Sequence, residues 1–467
     1  MPAGIILNLI ISLLVPTLAG YAICLILFKK LPFNSLVSLS ISFGVGIGMI
    51  THWMLLLSMI GLTYSRANIC FPLTAVSLIS IFYIKKNRMY KNIDRNDLIA
   101  DKRIDGFTSG FLNNFSLKTI IGIAVFVYIT FQIYFVFWRS LNIPICSWDA
   151  LYVIASKAKC LFYEGSIEPL KNYNLSSYPL HVPLSLTWVA LNLGVWDEQL
   201  IKIIFPVVFL CYLIIQYDFL CRHTNKWWAL IGTGLFVSAN FPIYHATIAY
   251  RDFFLMYYNI SVIILLLTGY ETERDQFFIL AGLFAGFATF TKLEALGYFF
   301  VNSLAFLFLL FKMKRCGLKE KMVKFLKFIV PGIGIFLFYY LYKHIHNIGQ
   351  GQGRFLFDFN WQNLARIKVI LWRFLEDFFL SGNWNILWFL LAVSLFVRRA
   401  SITKNFQTKI LLLLLLLYLG FYFIIALFTA NFISIAGSHS YTVLSRLILH
   451  FFPLCPLLIV FLNYSNE

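Results

Sequence analysis

The chain has 467 residues, of which 60% are hydrophobic and only 12% are charged, and it carries a formal net charge of +18. Apolar runs of about 20 residues recur along it, and each is long enough to cross a hydrocarbon layer of about 30 Å as a helix. These properties exclude a soluble globular protein and predict an all-α polytopic membrane protein.

The apolar runs predict about 13 transmembrane helices in chain order. Their expected positions are residues 5–28, 36–62, 67–84, 119–137, 201–220, 227–246, 253–270, 276–291, 296–312, 325–343, 385–397, 410–430 and 446–463. Most basic residues lie in short loops on one side of these spans, which is the positive-inside pattern. This pattern predicts an outer N-terminus and a cytoplasmic C-terminus, and it explains the positive charge without nucleic acid as a partner.

Three regions follow from the spacing of the spans. Residues 1–112 are predicted to form an N-terminal extension of three helices with a basic cytoplasmic linker. Residues 113–343 form a transmembrane module with a large outer loop at 138–200, and residues 344–467 supply a second outer loop and the last helices. The chain has no Walker loop, GxGxxG or HExxH motif, so neither an ATP-driven nor a zinc-dependent machine is indicated.

The outer loop 138–200 contains two predicted interfacial helices. Within residues 147–165, apolar side chains recur at helical spacing and Lys157 is expected on another face. Asp149 begins this helix, where a carboxylate also favours the helix dipole. The stretch YPLHVPLSLTWVALNLG (178–194) is apolar enough to be mistaken for a span, but a span there would place the basic loops on inconsistent sides. We therefore expect an interfacial or re-entrant helix.

Ionisable residues recur at the outer ends of the later spans. They are Arg251 and Asp252, Lys292 and Glu294, and His439 and Arg446. Charged groups at such depths are costly and usually mark a pathway or a site, although interfacial charges also pair, as Arg251 and Glu294 would. An acid beside several cations suits transfer from a lipid-phosphate donor, since a carboxylate serves as general base and cations stabilise the departing phosphate.

The order of these motifs resembles the GT-C superfamily of membrane glycosyltransferases, in particular bacterial members related to protein mannosyltransferases, aminoarabinose transferases and lipopolysaccharide galacturonosyltransferases. The matching pieces within residues 119–312 are Trp148-Asp149, YPLHVPL, Arg251-Asp252 and AGLFAGFATFTKLEALG. The resemblance implies an enzyme that moves a sugar from a polyprenyl-phosphate donor to a lipid, glycan or protein acceptor. It also implies a multi-pass protein of a bacterial inner membrane, surrounded by membrane lipids, with its active site facing the periplasm.

The resemblance assigns roles to single residues. Asp149 is the expected catalytic base of an inverting transfer, and Asp252 is a second catalytic acid that orients acceptor or sugar. The donor phosphate is expected at Arg251, Lys292 and Arg446. Sugar or acceptor contacts are expected from Glu294, His181, Tyr178, Lys157 and His439, with Glu294 alternatively anchoring Lys292. Members that use monophosphoryl-lipid sugars generally need no metal, so no cofactor is expected.

Two other functions fit parts of the sequence. An O-antigen polymerase or ligase is also polytopic and uses outer Arg and His residues. The late loop 344–384 supplies such residues in His344, His346, Arg354, Asp358, Arg366 and Arg373. A transporter or flippase for a lipid-linked solute would show inverted repeats and a site near the bilayer midplane. The sequence shows no such repeat, and its charges gather toward one face.

Overall fold

The computed structural model describes residues 2–89, 116–173, 178–314, 316–348, 359–429 and 441–464. Within these ranges the chain is mostly helical and contains no β-strand, so the all-α prediction is confirmed. The predicted site residue His439 lies outside the described ranges. So do Arg354 and Asp358 of the late loop and most of the predicted basic linker.

The described residues form a long succession of α-helices. They are α1 (Ala3–Phe28), α2 (Ser35–Met59), α3 (Arg66–Met89), α4 (Leu117–Asn142), α5 (Ser156–Glu164), α6 (His181–Leu193), α7 (Ile204–His223), α8 (Lys226–Ser238), α9 (Asn240–His245), α10 (Arg251–Thr272), α11 (Asp275–Thr291), α12 (Ala295–Lys312), α13 (Leu318–Ile345), α14 (Ile367–Phe379), α15 (Leu387–Val397), α16 (Arg399–Lys404), α17 (Phe406–Phe428), α18 (Tyr441–Leu449) and α19 (Leu454–Asn463). A π-helical turn at Ala150–Ala155 precedes α5, and short 3-10 segments lie at Glu168–Asn172, Leu200–Ile203 and Trp361–Arg366.

Nine helices within the described ranges are long and apolar enough to cross a membrane, namely α1 to α4, α7 with the 3-10 segment before it, α10, α12, α13 and α17. The pair α18 and α19 is a tenth candidate that bends by 55°. The chain is therefore a polytopic α-helical membrane protein, but thirteen spans are not confirmed. The predicted span 276–291 is a helix of 17 residues, and 385–397 is a helix of 11 residues. The predicted span 227–246 breaks between α8 and α9, where Ala239 is extended.

α10 lies at the centre of the structure. Its first five turns are buried completely, and it packs against α7, α11 and α12. Tyr257 of α10 donates a hydrogen bond to the Ser40 carbonyl of α2 at 2.9 Å, so the N-terminal helices are packed into the same core. α1 and α2 approach closely because small residues lie between them. A Cβ atom on Gly46 would overlap the carbonyl of Pro16.

The outer loop folds into the protein and does not lie along its surface. Lys157 is 1% exposed although it was predicted on another face than the apolar side chains, and Ile154, Ala158 and Leu161 are buried as well. The π-helical turn explains this error, because i→i+5 bonding shifts the register of the following residues relative to an α-helix. α6 is buried from His181 to Ala190 against α1, α2 and α5. A helix that is apolar on all sides is stable when it is covered, and α6 is covered by these three helices.

The two ends of α10 have different surroundings. Its first turn contacts α9 and α18. Glu271 and Thr272 of its last turn line the same cavity as Arg222 and Lys226, which lie near the loop between α7 and α8. At 1.5 Å per residue the 22 residues of α10 extend about 33 Å, which is close to the thickness of the hydrocarbon layer. The predicted site residues and the basic loops are therefore separated by about one membrane thickness.

Candidate active site

Five of the predicted site residues form one connected cluster of ion pairs. Asp149 comes from the outer loop, Asp252 from the first turn of α10, Lys292 and Glu294 from the turn between α11 and α12, and Arg446 from α18. These five residues and His450, which joins them, are called the acid cluster below. The structure thus brings together charges that are as many as 297 positions apart in the sequence.

Arg446 joins the two aspartates of the acid cluster. Its Nη1 atom donates to Asp149 Oδ2 at 2.5 Å, and its Nε atom donates to Asp252 Oδ2 at 3.0 Å. Its guanidinium carbon lies 4.8 Å from the ring centroid of Tyr250, which is a cation–π contact. The planar guanidinium therefore holds two carboxylates from distant parts of the chain side by side.

The two aspartates differ in exposure and in the number of their partners. Asp252 is fully buried, and its Oδ1 atom lies 3.0 Å from both Lys292 Nζ and His450 Nε2. A buried carboxylate is stable only when partners of this kind surround it. The Asp149 side chain is 26% exposed and forms its ion pair with Arg446. Asp149 is therefore the accessible aspartate of the cluster, and Asp252 is its buried centre.

The turn between α11 and α12 contributes a lysine and its counter-ion. α11 ends where Lys292 takes an extended conformation, with φ −156° and ψ 143°. The Lys292 Nζ atom lies 3.0 Å from Asp252 Oδ1 and also 3.0 Å from Glu294 Oε1. Burial acts to raise the pKa of Glu294, but Lys292 and weaker contacts hold that pKa below its usual range. Lys292, and not Arg251, is thus the ion-pair partner of Glu294.

Three members of this network were not predicted from the sequence. His450 lies in the bend between α18 and α19 and is fully buried. The hydroxyl oxygens of Tyr298 and Tyr422 lie 2.8 Å and 3.3 Å from His450 Nδ1, and the two hydroxyls hydrogen-bond to each other. One signal was available in the sequence: His450 follows Arg446 by four residues in an otherwise apolar stretch, which is the spacing of one helix face.

A second group of predicted residues is basic and surrounds an aromatic ring. The Lys157 Nζ atom and the Arg251 guanidinium carbon lie 5.5 Å and 4.5 Å from the ring centroid of Tyr178. Lys343 lies 5.8 Å from the ring centroid of Tyr339, whose hydroxyl donates to the Tyr178 carbonyl at 3.1 Å. Lys157, Tyr178, Arg251 and Lys343 are called the basic pocket below. It adjoins the acid cluster, because Arg251 and Asp252 are consecutive residues.

The basic pocket concentrates positive charge in a buried place. Lys157 is 1% exposed and Arg251 is 5% exposed. Among the residues that the structure describes, the Nε and Nη1 atoms of Arg251 have no hydrogen-bond partner. Burial, followed by the charges of Arg251 and Lys343, lowers the pKa of Lys157 to about 7. Because the buried Arg251 guanidinium has two N–H groups without a hydrogen-bond partner in the described structure, the pocket is suited to receive an anion.

His181 lies in the core and its ring is already bound on both sides. Its Nδ1 atom lies 2.8 Å from Thr51 Oγ1, and its Nε2 atom lies 3.1 Å from the Tyr258 hydroxyl. Burial, with a smaller contribution from His52, lowers the pKa of His181 to about 3, so the ring is neutral. Its two occupied nitrogens leave neither atom for a sugar or an acceptor.

Three of the late-loop residues named above, His346, Arg366 and Arg373, take part in contacts that hold the fold. His346 lies 2.8 Å from Glu168 of the outer loop, and Arg373 lies 2.5 Å from Glu376 on the same helix. Arg366 donates to two backbone carbonyls near the end of α17. Across the described part of the chain, no group of three or more His, Cys, Asp or Glu side chains is placed to hold a metal ion.

Comparisons of this chain with protein-family models, with curated proteins and with solved structures found no match. The function is therefore inferred from the chemistry of the acid cluster and the basic pocket.

Proposed function

We propose that this protein is a membrane glycosyltransferase that moves a sugar from a polyprenyl-phosphate donor to a lipid, glycan or protein acceptor. The observation that supports this most is the position of Asp149, an accessible carboxylate beside a buried ion-pair cluster and a cationic pocket. The positive-inside pattern supports an orientation with this end of the molecule outside the cytoplasm. In a bacterial inner membrane the site would face the periplasm.

Asp149 is the general base of the proposed reaction. Its carboxylate accepts the proton of an acceptor hydroxyl while the acceptor oxygen forms a bond to the anomeric carbon of the sugar. The bond between that carbon and the donor phosphate oxygen breaks on the opposite side, so the configuration is inverted. The leaving group departs as polyprenyl phosphate, and the proton passes from Asp149 to water.

The basic pocket is assigned to the donor phosphate. Charge that develops on the leaving oxygen is stabilised by donors that are already in place. Arg251 has two N–H groups without a partner in the described structure, and Lys157 contacts the same tyrosine ring. Lys292 and Arg446 were also expected at the phosphate, but both already pair with carboxylates of the acid cluster. We assign these two cations to positioning the acids.

Asp252 is assigned a positioning role, and Glu294 keeps a role at the sugar. Asp252 is fully buried and contacts Arg446, Lys292 and His450, so it orients those side chains instead of touching the acceptor. The Glu294 side chain is 27% exposed beside the cluster, which leaves part of its carboxylate open to sugar hydroxyls.

The test is release of polyprenyl phosphate by the purified protein, with a panel of polyprenyl-phosphate sugars as donors and a lipid extract as acceptor. We expect Asp149→Asn to abolish release while expression and donor binding stay intact. Glu164→Gln is the matched control, because Glu164 is an exposed acid in the same outer loop. Turnover of Asp149→Asn at the wild-type rate would reject Asp149 as the base. Donor binding without release by the wild-type protein would favour a polymerase or a carrier of lipid-linked sugars.

A further inference from the structure

A large cavity lies at the other end of α10 from the acid cluster. Its volume is about 1620 Å³, and its walls come mainly from α4, α7, α8 and the start of α2. Most small-molecule sites occupy roughly 300–1,000 Å³, so this cavity suits a longer molecule. Thr268, Glu271 and Thr272 line it, which places it at the end of α10 where the basic loops lie.

The wall of the cavity is apolar over about half the membrane thickness. It is lined on α4 by Gly122, Ile123, Phe126, Ile129 and Ile133, and on α7 by Leu210, Leu213, Ile214 and Tyr217. Between the first and last of the α4 residues that helix rises about 16 Å, roughly half of the 30 Å hydrocarbon layer. The depth of the cavity therefore corresponds to a hydrocarbon chain of a single leaflet.

The packing of α4 leaves this space open toward the membrane. α4 approaches α8 closely at Gly234, where a Cβ atom would lie 2.7 Å from Val125 Cγ1. On its outer face, side chains such as Val127 and Phe131 are each 59% exposed. Ile123 and Phe126, which line the cavity on α4, are 45% and 56% exposed, so lipid chains have access to it.

The mouth of the cavity is polar and basic. Arg222 and Lys226 line it directly. Lys29 and Lys30 are separated by one residue from the lining segment 32–37. The indole of Trp227, another lining residue, donates to the carbonyl of Lys118 at 3.3 Å, so the start of α4 also lies at the mouth.

The acids at the mouth cancel only part of this positive charge. Asp218 accepts from Asn34 at 2.8 Å and from Arg222 at 2.9 Å. Glu271 contacts His223 at 2.8 Å and accepts from Gln407 at 3.1 Å. Among the lining residues Asp218 and Glu271 balance the charges of Arg222 and Lys226. The excess of positive charge at the mouth therefore comes from the neighbouring Lys29, Lys30 and Lys118, and it makes the mouth complementary to an anionic headgroup.

We propose that this cavity binds an anionic phospholipid from the leaflet that faces the basic loops. An acyl chain would lie between α4 and α7, and the phosphate would lie near Arg222, Lys226 and Lys118. A polyprenyl-phosphate donor would need its phosphate at the basic pocket, at the opposite end of α10, so it is not the expected occupant. The binding of a phospholipid does not depend on the proposed glycosyl transfer, and only the exclusion of polyprenyl phosphate rests on it.

The experiment uses the full-length protein, purified in a mild detergent, and counts bound lipids by native mass spectrometry. We expect one phosphatidylglycerol to be retained in preference to phosphatidylcholine at equal concentration. The double variant Lys118→Gln/Lys226→Gln should bind phosphatidylglycerol about 25-fold more weakly, since each basic residue near the headgroup contributes roughly fivefold. Its binding of phosphatidylcholine should not change.

A second variant tests the wall of the cavity. Ile129→Trp would fill the space between α4 and α7 and is expected to prevent retention of phosphatidylglycerol. Val127→Trp, on the exposed outer face of the same helix, is the matched control and should retain the lipid. Equal retention of both phospholipids by the wild type, unchanged affinity in the double variant, or displacement of phosphatidylglycerol by equimolar polyprenyl phosphate would overturn the proposal. Lys118→Gln/Lys226→Gln leaves the apolar wall intact, so its affinity for phosphatidylglycerol tests the proposal even where Ile129→Trp fails to fold.

Discussion

Replacing Asp252 by alanine is expected to destabilise the protein strongly. The change removes a shared acceptor from Lys292 and Arg446, whose side chains are only 9% and 18% exposed. Breaking a buried ion pair from one side costs about 3–5 kcal/mol, chiefly because the remaining charge stays buried without its partner. Lys292 keeps Glu294 and Arg446 keeps Asp149. We therefore expect the lower end of that range, a loss of about 3 kcal/mol in the free energy of unfolding.

The assay is a titration of the purified protein from mild detergent into sodium dodecyl sulfate, followed by circular dichroism. It compares Asp252→Ala, Lys292→Met and the double variant. The double variant should lose less than the sum of the single changes by about 1 kcal/mol or more, because the second change removes a charge that the first left unpaired. Losses that add within about 0.5 kcal/mol would refute this reasoning. So would a loss of less than about 1 kcal/mol in Asp252→Ala, a value typical of exposed pairs.

Three further predictions follow from the same contacts. His450→Phe removes the hydrogen bond to the Asp252 carboxylate, so polyprenyl phosphate release should slow about tenfold or more at unchanged donor affinity. An unchanged release rate would exclude a positioning role for His450. Between pH 7 and 9 Lys157 stays protonated in the unfolded chain but loses its proton in the folded chain, where its pKa is about 7. The free energy of unfolding of the wild type should therefore rise by up to about 1.4 kcal/mol per pH unit relative to that of Lys157→Met. Parallel plots of the two free energies against pH would contradict this. Gly46→Ala should cost about 1–3 kcal/mol because its methyl group meets the Pro16 carbonyl. Gly420→Ala, with no atom within 4 Å of the added carbon, should not destabilise the protein, and equal losses would remove the steric explanation.

The convergence of the acid cluster could be predicted because membrane topology restricts where charges lie. Asp252, Lys292 and Arg446 are each next to the outer end of an apolar run, and Asp149 lies in the outer loop. A charge at such a position is confined to one face of the membrane, and a small bundle brings charges on one face close together. Length and hydropathy were therefore sufficient to place these residues in one region without any knowledge of helix packing.

The division into two groups could not be predicted in this way. Arg251 and Asp252 are consecutive, yet one contacts the Tyr178 ring and the other joins the acid cluster. Successive residues on a helix point about 100° apart, so the outcome depends on which loop covers each face. The burial of Lys157 follows a π-helical turn at Ala150–Ala155, and the sequence of that turn does not predict a π-helix. His450 was missed because a single histidine in an apolar stretch is usually a core residue.

Exposure and pairing together distinguish the charges that the fold explains from those assigned to the proposed reaction. A buried charge with a full set of partners, such as Asp252, is explained by the stability of the fold alone. Asp149 is accessible although Arg446 holds it, and Arg251 is buried although two of its N–H groups have no partner in the described structure. Transfer from an anionic donor requires both, because the base must be open to the acceptor and a cation must be open to the phosphate. Arg251 and Asp252 lie on the first turn of one helix, so the backbone of α10 fixes the spacing between the proposed phosphate site and the acid cluster.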